Sequence, residues 1–313
     1  MAVQRSCRGR YGGLIACLLL FVPGGCGGSG SAPPPPVVVL PPVSPAEYTG
    51  FGTPTAVRLV GYAGDAMEPF IAKDGKTLFF NNSNDPAVNT DLFYAVRIDD
   101  LDFEFLGPVG GTNGPSLDGV ASLDSNGVFY FVSTRNYAAS LSTLYSGPYA
   151  AGAVEAAAIV AGVSPQQPGI VNFDAEISGD GATLYFDDGR YTAGGVLQAA
   201  TLVVADRRGA GFVRRPDSAV LLADVNTAGF NYAPAISSDG RELFFTRFDP
   251  GVAGSLPAIY RAVRAASGLP FGTVQKVAAA TGHVEAPTLS ADGHFLYYHK
   301  QVDGVFRLFR LQR

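Results

Sequence analysis

Five carboxylates carry the chemistry that this chain could do. Glu68, Asp118, Asp174, Glu176 and Glu285 each stand just before or within a short apolar segment that leads into a tight turn. Two carboxyls about 5 to 10 Å apart are what acid–base cleavage of a glycosidic bond requires. Acids in such places otherwise serve as solvated funnel residues or cap strand ends. A second set, Asp74, Asn126, Asp180, Asp239 and Asp292, is followed each time by glycine. Five symmetric side chains of this kind invite a metal reading. A tight turn that needs positive φ, and a side chain that bonds its own backbone, explains Asp-Gly and Asn-Gly better. His283, His294 and His299 all fall in the last part of the chain. His294 and His299 are an odd number of residues apart on or near one strand, which points them to opposite faces, so no shared metal is expected. No serine nucleophile elbow, phosphate loop or Cys-x-x-Cys pair occurs. Neither a cofactor nor a metal is expected, and an enzyme is the lesser expectation.

The elements that position these residues repeat. The turns centre on 74, 126, 180, 239 and 292, with spacings of 52, 54, 59 and 53 residues. A period of this size suits one propeller blade of four short strands. After each turn comes an alternating segment with an aromatic pair: Phe79-Phe80, Tyr130-Phe131, Tyr185-Phe186, Phe244-Phe245 and Tyr297-Tyr298. Two apolar runs around Asp-Gly predict a β-hairpin. A third strand is expected at Leu92–Val96 and Ile259–Val263, and a fourth at Ala219–Leu222 and Val274–Val277. The last unit stops after Phe306–Leu311 with no fourth strand. Ala56–Val60, before the first unit, matches that missing strand and is expected to close the ring, which hides strand edges. The fold class is therefore all-β: a β-propeller of five four-stranded blades, closed by an N-terminal strand that completes the C-terminal blade.

The best-preserved phrase, Pro234, Ser237, Asp239 and Gly240, recurs as Pro287, Ser290, Asp292 and Gly293. The first unit keeps Pro69, Asp74 and Gly75 with Ala72 for Ser, and the third keeps Ser178, Asp180 and Gly181 with Ala175 for Pro. The second unit is the most divergent and has one residue fewer in its turn. This phrase resembles the TolB-like family of WD-like propeller repeats over about 260 residues. The resemblance implies the fold and leaves the activity open. Five-bladed glycosidases of the arabinanase type use a comparable triad of acids. This chain lacks their sequence patterns, and it has no tryptophan for sugar stacking.

Arg5, Arg8 and Arg10 precede an apolar stretch from Leu14 to Val22, the plan of an export signal. That stretch is shorter than the ~20 residues of a membrane span. Cys7, Cys17 and Cys26 all lie in this leader, and Gly24-Gly25-Cys26 resembles a bacterial lipoprotein signal, with Pro23 where an aliphatic residue is usual. Residues 1–25 are expected to be a signal peptide, 26–46 a Gly/Ser/Pro-rich linker lipid-anchored through Cys26, and 47–313 the propeller. One cysteine in the mature chain leaves no intramolecular disulfide. The net charge of −5 becomes −8 once three arginines are lost with no acid, and no basic stripe points to nucleic acid. The expected role is a non-catalytic module in a bacterial envelope, at the outer membrane or its periplasmic face, binding an envelope protein. The alternative is a glycan-binding protein or glycoside hydrolase that uses the five acids. The polar loops between second and third strands, Asn81–Asp91, Ser133–Ala139, Asp187–Gly195 and Phe248–Pro257, form a rim suited to binding.

Overall fold

A computed structural model describes residues 45–85 and 89–313. Within them the chain forms five sheets in sequence order, the blades of a β-propeller. Cys26, the export signal and the linker up to residue 44 lie outside the described residues. Blade 1 consists of Met67–Ile71, Thr77–Asn81, Leu92–Arg97 and Asp102–Pro108. Blade 2 runs through Asp118–Leu123, Val128–Ser133 and Leu144–Ala150, with the short Ala153–Val154 and Ala158–Ile159 outside. Blade 3 has Ile170–Val171 and Ala175–Ile177 innermost, then Thr183–Tyr191, Leu197–Arg208 and Gly211–Arg214. Blade 4 is Phe230–Ile236, Glu242–Phe248, Ala258–Val263 and Gly272–Val277. Blade 5 is Val284–Leu289, Phe295–Val302 and Val305–Gln312.

The turn residues do what tight turns ask of them. Gly75, Gly127, Gly181, Gly240 and Gly293 all have positive φ. Asp74, Asp180, Asp239 and Asp292 each accept the backbone N–H two residues on, at 2.8 to 3.0 Å. In blade 2 the shorter turn is held instead by Asp124, which accepts from the N–H groups of Asn126 and Val128 at 2.9 Å each. The aromatic pairs sit on adjacent positions of a strand, so they point to opposite faces of the blade. The first of each pair faces the next blade and the second faces the previous one. Phe244 joins the cluster shared with blade 5, whereas Phe245 joins the cluster shared with blade 3. Nearly all these rings are fully buried. Each contributes on the order of 1.5–3 kcal/mol from burial.

Closure is more divided than a single strand would make it. Thr55–Ala56 pairs antiparallel with Val305–Gln312 and completes blade 5, as expected. The N–H of Val57 still bonds Leu308, but that of Arg58 turns to Leu101, and Arg58–Val60 then runs parallel to the outer strand of blade 1. The segment Ala56–Val60 is thus shared between two blades. Upstream, Glu47–Tyr48 adds a parallel strand to blade 4. Ala219–Leu222 is also not a strand: Ser218–Leu221 is a short helix behind Pro216-Asp217, and the fourth strand of blade 3 is Gly211–Arg214. The extra length of the third unit goes into its long hairpin, Thr183–Tyr191 with Leu197–Arg208, and into that helix; it contains no sixth blade.

Two rings of polar contacts join blade to blade. At the turn end, Arg97, Arg207, Arg264 and Arg313 each donate through Nε to the carbonyl of their own blade's turn glycine at 2.6 to 2.7 Å. The other end of each guanidinium reaches the preceding blade: Tyr297, Tyr130, Tyr185 and Glu242 in turn. At the inner strands, Glu68, Val120, Ala233 and Ala286 occupy one equivalent position, seven residues before the turn glycine. All four have φ between +50° and +55° and mark a β-bulge. Their rotated N–H groups are accepted by the preceding blade: His299 Nδ1 for Glu68, Asn81 for Val120, Asp174 for Ala233 and Thr246 for Ala286.

Candidate functional site at the propeller mouth

Met67 pairs with Asn81, Phe230 with Phe248 and Val284 with Lys300, so the inner strands begin at the ring end where second strands finish. The acids at the start of the inner strands therefore share a face with the polar loops. Position decides which of them meet. Glu68 and Asp174 both stand seven residues before the turn glycine, in blades 1 and 3, and Glu285 is one residue earlier in blade 5. These three converge at the mouth of the channel: burial, Asp174 and Glu285 together push the Glu68 carboxyl well above its ordinary range, against hydrogen bonds from Asn81 and Asn84. Burial likewise raises Asp174, helped by Asp187 and Glu285.

Asp118 does not join them, and Glu176 lines the same narrow cavity as Glu68 and Asp174 but is held by other partners. Glu176 lies two residues further along its strand, deeper in the channel, where Lys73 Nζ at 3.2 Å and the Ser122 hydroxyl at 3.2 Å hold it. That set ties blades 1, 2 and 3 together. Asp118 lies two residues before the bulge of blade 2 and is paired with Arg135 at 2.7 Å.

Glu285 is the most completely held of the acids. Its Oε1 accepts from the Tyr232 hydroxyl, and its Oε2 faces His283 Nε2 at 3.0 Å and His299 Nε2 at 3.2 Å. Because His299 Nδ1 accepts the Glu68 N–H at 2.9 Å, its ring proton sits on Nε2 and is donated to Glu285. Burial works against the carboxylate, but the two histidine hydrogen bonds outweigh it and hold Glu285 far below the usual range. Tyr232, half-buried beside Glu285, keeps its proton well above the ordinary tyrosine range, through desolvation and the neighbouring carboxylate. His294, by contrast, points away and contacts the Arg313 carbonyl at 3.3 Å.

Sequence reasoning missed Asp187, Tyr232 and the convergence of His283 with His299. Asp187 is fully buried; its Oδ1 accepts the N–H groups of Phe173 at 3.0 Å and Asp174 at 3.2 Å, while its Oδ2 has no partner. Burial pushes its carboxyl well up. Phe173, Tyr191 and Tyr232 form a chain of aromatic contacts beside these acids, with centroids 6.0 and 6.4 Å apart. The cavity framed by Glu68, Asp174, Glu176 and their inner-strand neighbours is narrow, about 30 Å³. Among the described residues no three His, Cys, Asp or Glu side chains are placed to hold a metal ion.

With this geometry in view, the comparisons fall into one class of architecture, the β-propeller. No protein-family model matches the chain, and no curated protein matches it by sequence. Among solved structures, a family 117 glycoside hydrolase, Zg3597 of the marine bacterium Zobellia galactanivorans, superposes with a TM-score of 0.53 at 12% identity. The match covers 84% of this chain and 90% of that one. A second protein, described simply as a glycoside hydrolase, gives 0.54 at 10% identity, over 84% of this chain and 91% of that one. TolB from Acinetobacter baumannii gives 0.45 at 15% identity; 80% of this chain is covered, and it spans only 55% of that protein's length. At these identities the likeness is one of fold.

Proposed function

We propose that the protein binds and cleaves glycosidic bonds at the mouth formed by Glu68, Asp174 and Glu285. One observation carries the reading: carboxyls from three blades meet at one opening with opposite proton preferences, Glu285 shifted toward the carboxylate by its histidine hydrogen bonds, Glu68 and Asp174 shifted toward the protonated form by burial. Environments that push carboxyl groups apart in this way separate an acid from a carboxylate, the division of labour that glycoside hydrolysis needs. Glu68, half-exposed, is positioned as the proton donor to a leaving oxygen. Glu285 supplies negative charge, and Tyr232 and His299 keep it oriented. Propellers of the same architecture bear the description glycoside hydrolase, which supports the reading as analogy of fold.

The test is release of reducing sugar from a panel of polysaccharides and aryl glycosides, with Glu68→Gln and Glu285→Gln as variants. A general acid contributes about 10²–10⁴-fold, so turnover is expected to fall by at least a hundredfold in Glu68→Gln. Turnover unchanged in that variant removes Glu68 from the chemistry.

The small volume of the mouth favours a second reading, in which the loop rim binds a protein and the acids only stabilise the ring. In that reading the domain is a scaffold module, held in a bacterial envelope by a lipid on Cys26. Cross-linking of the full chain against a Cys26→Ser control tests it: a stoichiometric envelope partner that depends on the anchor supports the scaffold, and recovery of the bare protein argues against it.

A further inference from the structure

Beside the mouth lies a larger groove of about 350 Å³, lined by Gln167, Ile170, Asp188, Arg190, Thr201 and Arg214 among others. The long hairpin of blade 3 builds it. Asp187 and Asp188 are consecutive on Thr183–Tyr191, so their side chains leave on opposite faces of the strand. Asp187 turns to Asp174, whereas Asp188 turns to the face that carries Phe186, which packs against blade 2. Arg190 is on the Asp188 side two residues on, and Thr201 is the cross-strand partner of Asp188. The Asn172 amide donates to the Asp187 carbonyl and to Asp188 Oδ1, which couples the groove wall to the inner strand of the mouth.

The charges in the groove are unequal. Arg214 is spent on Asp188 and on the Val163 carbonyl. Arg190 is exposed, and its guanidinium makes no hydrogen bond or ion pair with any described residue. The Thr201 hydroxyl and the Gln167 amide, also exposed, are free beside it. An acidic chain has thus left one unspent guanidinium, a hydroxyl and an amide in a groove whose volume falls within the range of small-ligand sites. A guanidinium fork is matched to a planar or tetrahedral oxyanion.

We propose that this groove is a subsite for an anionic sugar unit, with Arg190 binding its carboxylate or sulfate and Gln167 and Thr201 bonding its hydroxyls. The proposal deepens the glycoside reading: the bond-breaking acids lie across one strand, so the substrate class is a charged glycan that extends from the mouth over the rim of blade 3.

Calorimetric titration of the full chain tests it with three probes: tetragalacturonate, its uncharged carboxyl-reduced counterpart, and a sulfated galactan tetrasaccharide. At least one charged probe is expected to bind, tighter at low salt, and the neutral one at least tenfold more weakly. Loss of a charge-assisted hydrogen bond predicts a ten- to hundredfold weakening of the charged probe in Arg190→Ala, with less loss in Arg190→Lys. The Arg190 guanidinium has no partner to lose, so its variants keep the wild-type melting temperature. No binding of either charged probe, or equal binding by Arg190→Ala, overturns the subsite. Charged-probe binding that depends on Arg190, with no turnover of any substrate, keeps the subsite and refutes cleavage. Turnover that depends on Glu68 but not on Arg190 does the reverse.

Discussion

The arginine at the turn end of blade 4 shows what holds neighbouring blades together. Arg264 is 8% exposed. Its guanidinium donates to the Gly240 carbonyl at 2.6 Å, the Leu269 carbonyl at 3.3 Å and the Tyr185 hydroxyl of blade 3 at 2.8 Å, and it lies 4.2 Å from the Phe271 ring centroid. Hydrogen bonds from a charged donor contribute about 1.5–3 kcal/mol each, and a desolvated cation–π contact adds up to about 2. These terms overlap because one group makes them all, so Arg264→Ala is expected to cost about 3–5 kcal/mol. For a domain of this size, each kcal/mol lowers the melting temperature by about 2–4 °C. The variant should therefore melt roughly 10 °C below the wild type in a circular-dichroism scan. Tyr185→Phe removes only the hydroxyl and should cost about 1–3 kcal/mol. The double variant should lose less than the two single losses combined, with a coupling of about 1 kcal/mol or more. A loss below about 1 kcal/mol in Arg264→Ala, or strict additivity with Tyr185→Phe, would show that the latch carries no weight.

Other outcomes follow from the buried acids and from one close approach. Asp187 is raised in the folded state, so the fold binds a proton there that the unfolded chain releases. Its contribution to stability is present below the ordinary carboxyl range and is lost as pH rises through the folded pKa. Asp187→Asn keeps the acceptor for Phe173 and Asp174; it should melt higher than wild type at neutral and alkaline pH and show a flatter melting-temperature profile. A steeper decline with pH in the variant would contradict this. Gly162 has φ +81° at the entry to blade 3, where a Cβ would overlap the Phe212 carbonyl oxygen. Gly162→Ala should therefore lose about 3 kcal/mol or more in a urea titration, and near-wild-type stability would show that the backbone yields there.

The legible part of the molecule is whatever is written locally. Asp-Gly followed by alternating residues and an aromatic pair specifies a hairpin with both faces buried, and five copies specify five blades. Ala219–Leu222 misleads because four apolar residues carry no period, while Asp217-Ser218 behind Pro216 suits a helix start. Ala56–Val60 misleads because its partners, Leu308 and Leu101, lie far away in sequence and belong to different blades. The acids can be sorted by counting back from each turn glycine. Glu68 and Asp174 share a position, Glu285 is one before it, Asp118 is two before it and Glu176 two after it. The same count forward marks Asn81, Asp187, Thr246 and His299, all buried and polar, six residues past their glycines. Convergence of His283 with His299 on Glu285 depends on a cross-strand register that no local pattern records.

The way the N-terminal segment is shared also sets an order of events in time. Thr55 and Ala56 find their partners only in Arg310 and Phe309, across nearly the whole length of the domain. Contacts this distant form slowly, because the chain must be drawn together before they repay the lost freedom. Until the final strand is available, blade 5 presents a bare edge, and Thr55–Ala56 remains unpaired at the front of the domain. Every incomplete molecule is therefore open to pairing with another of its kind, and docking of Thr55–Ala56 against Val305–Gln312 is the step that ends the exposure.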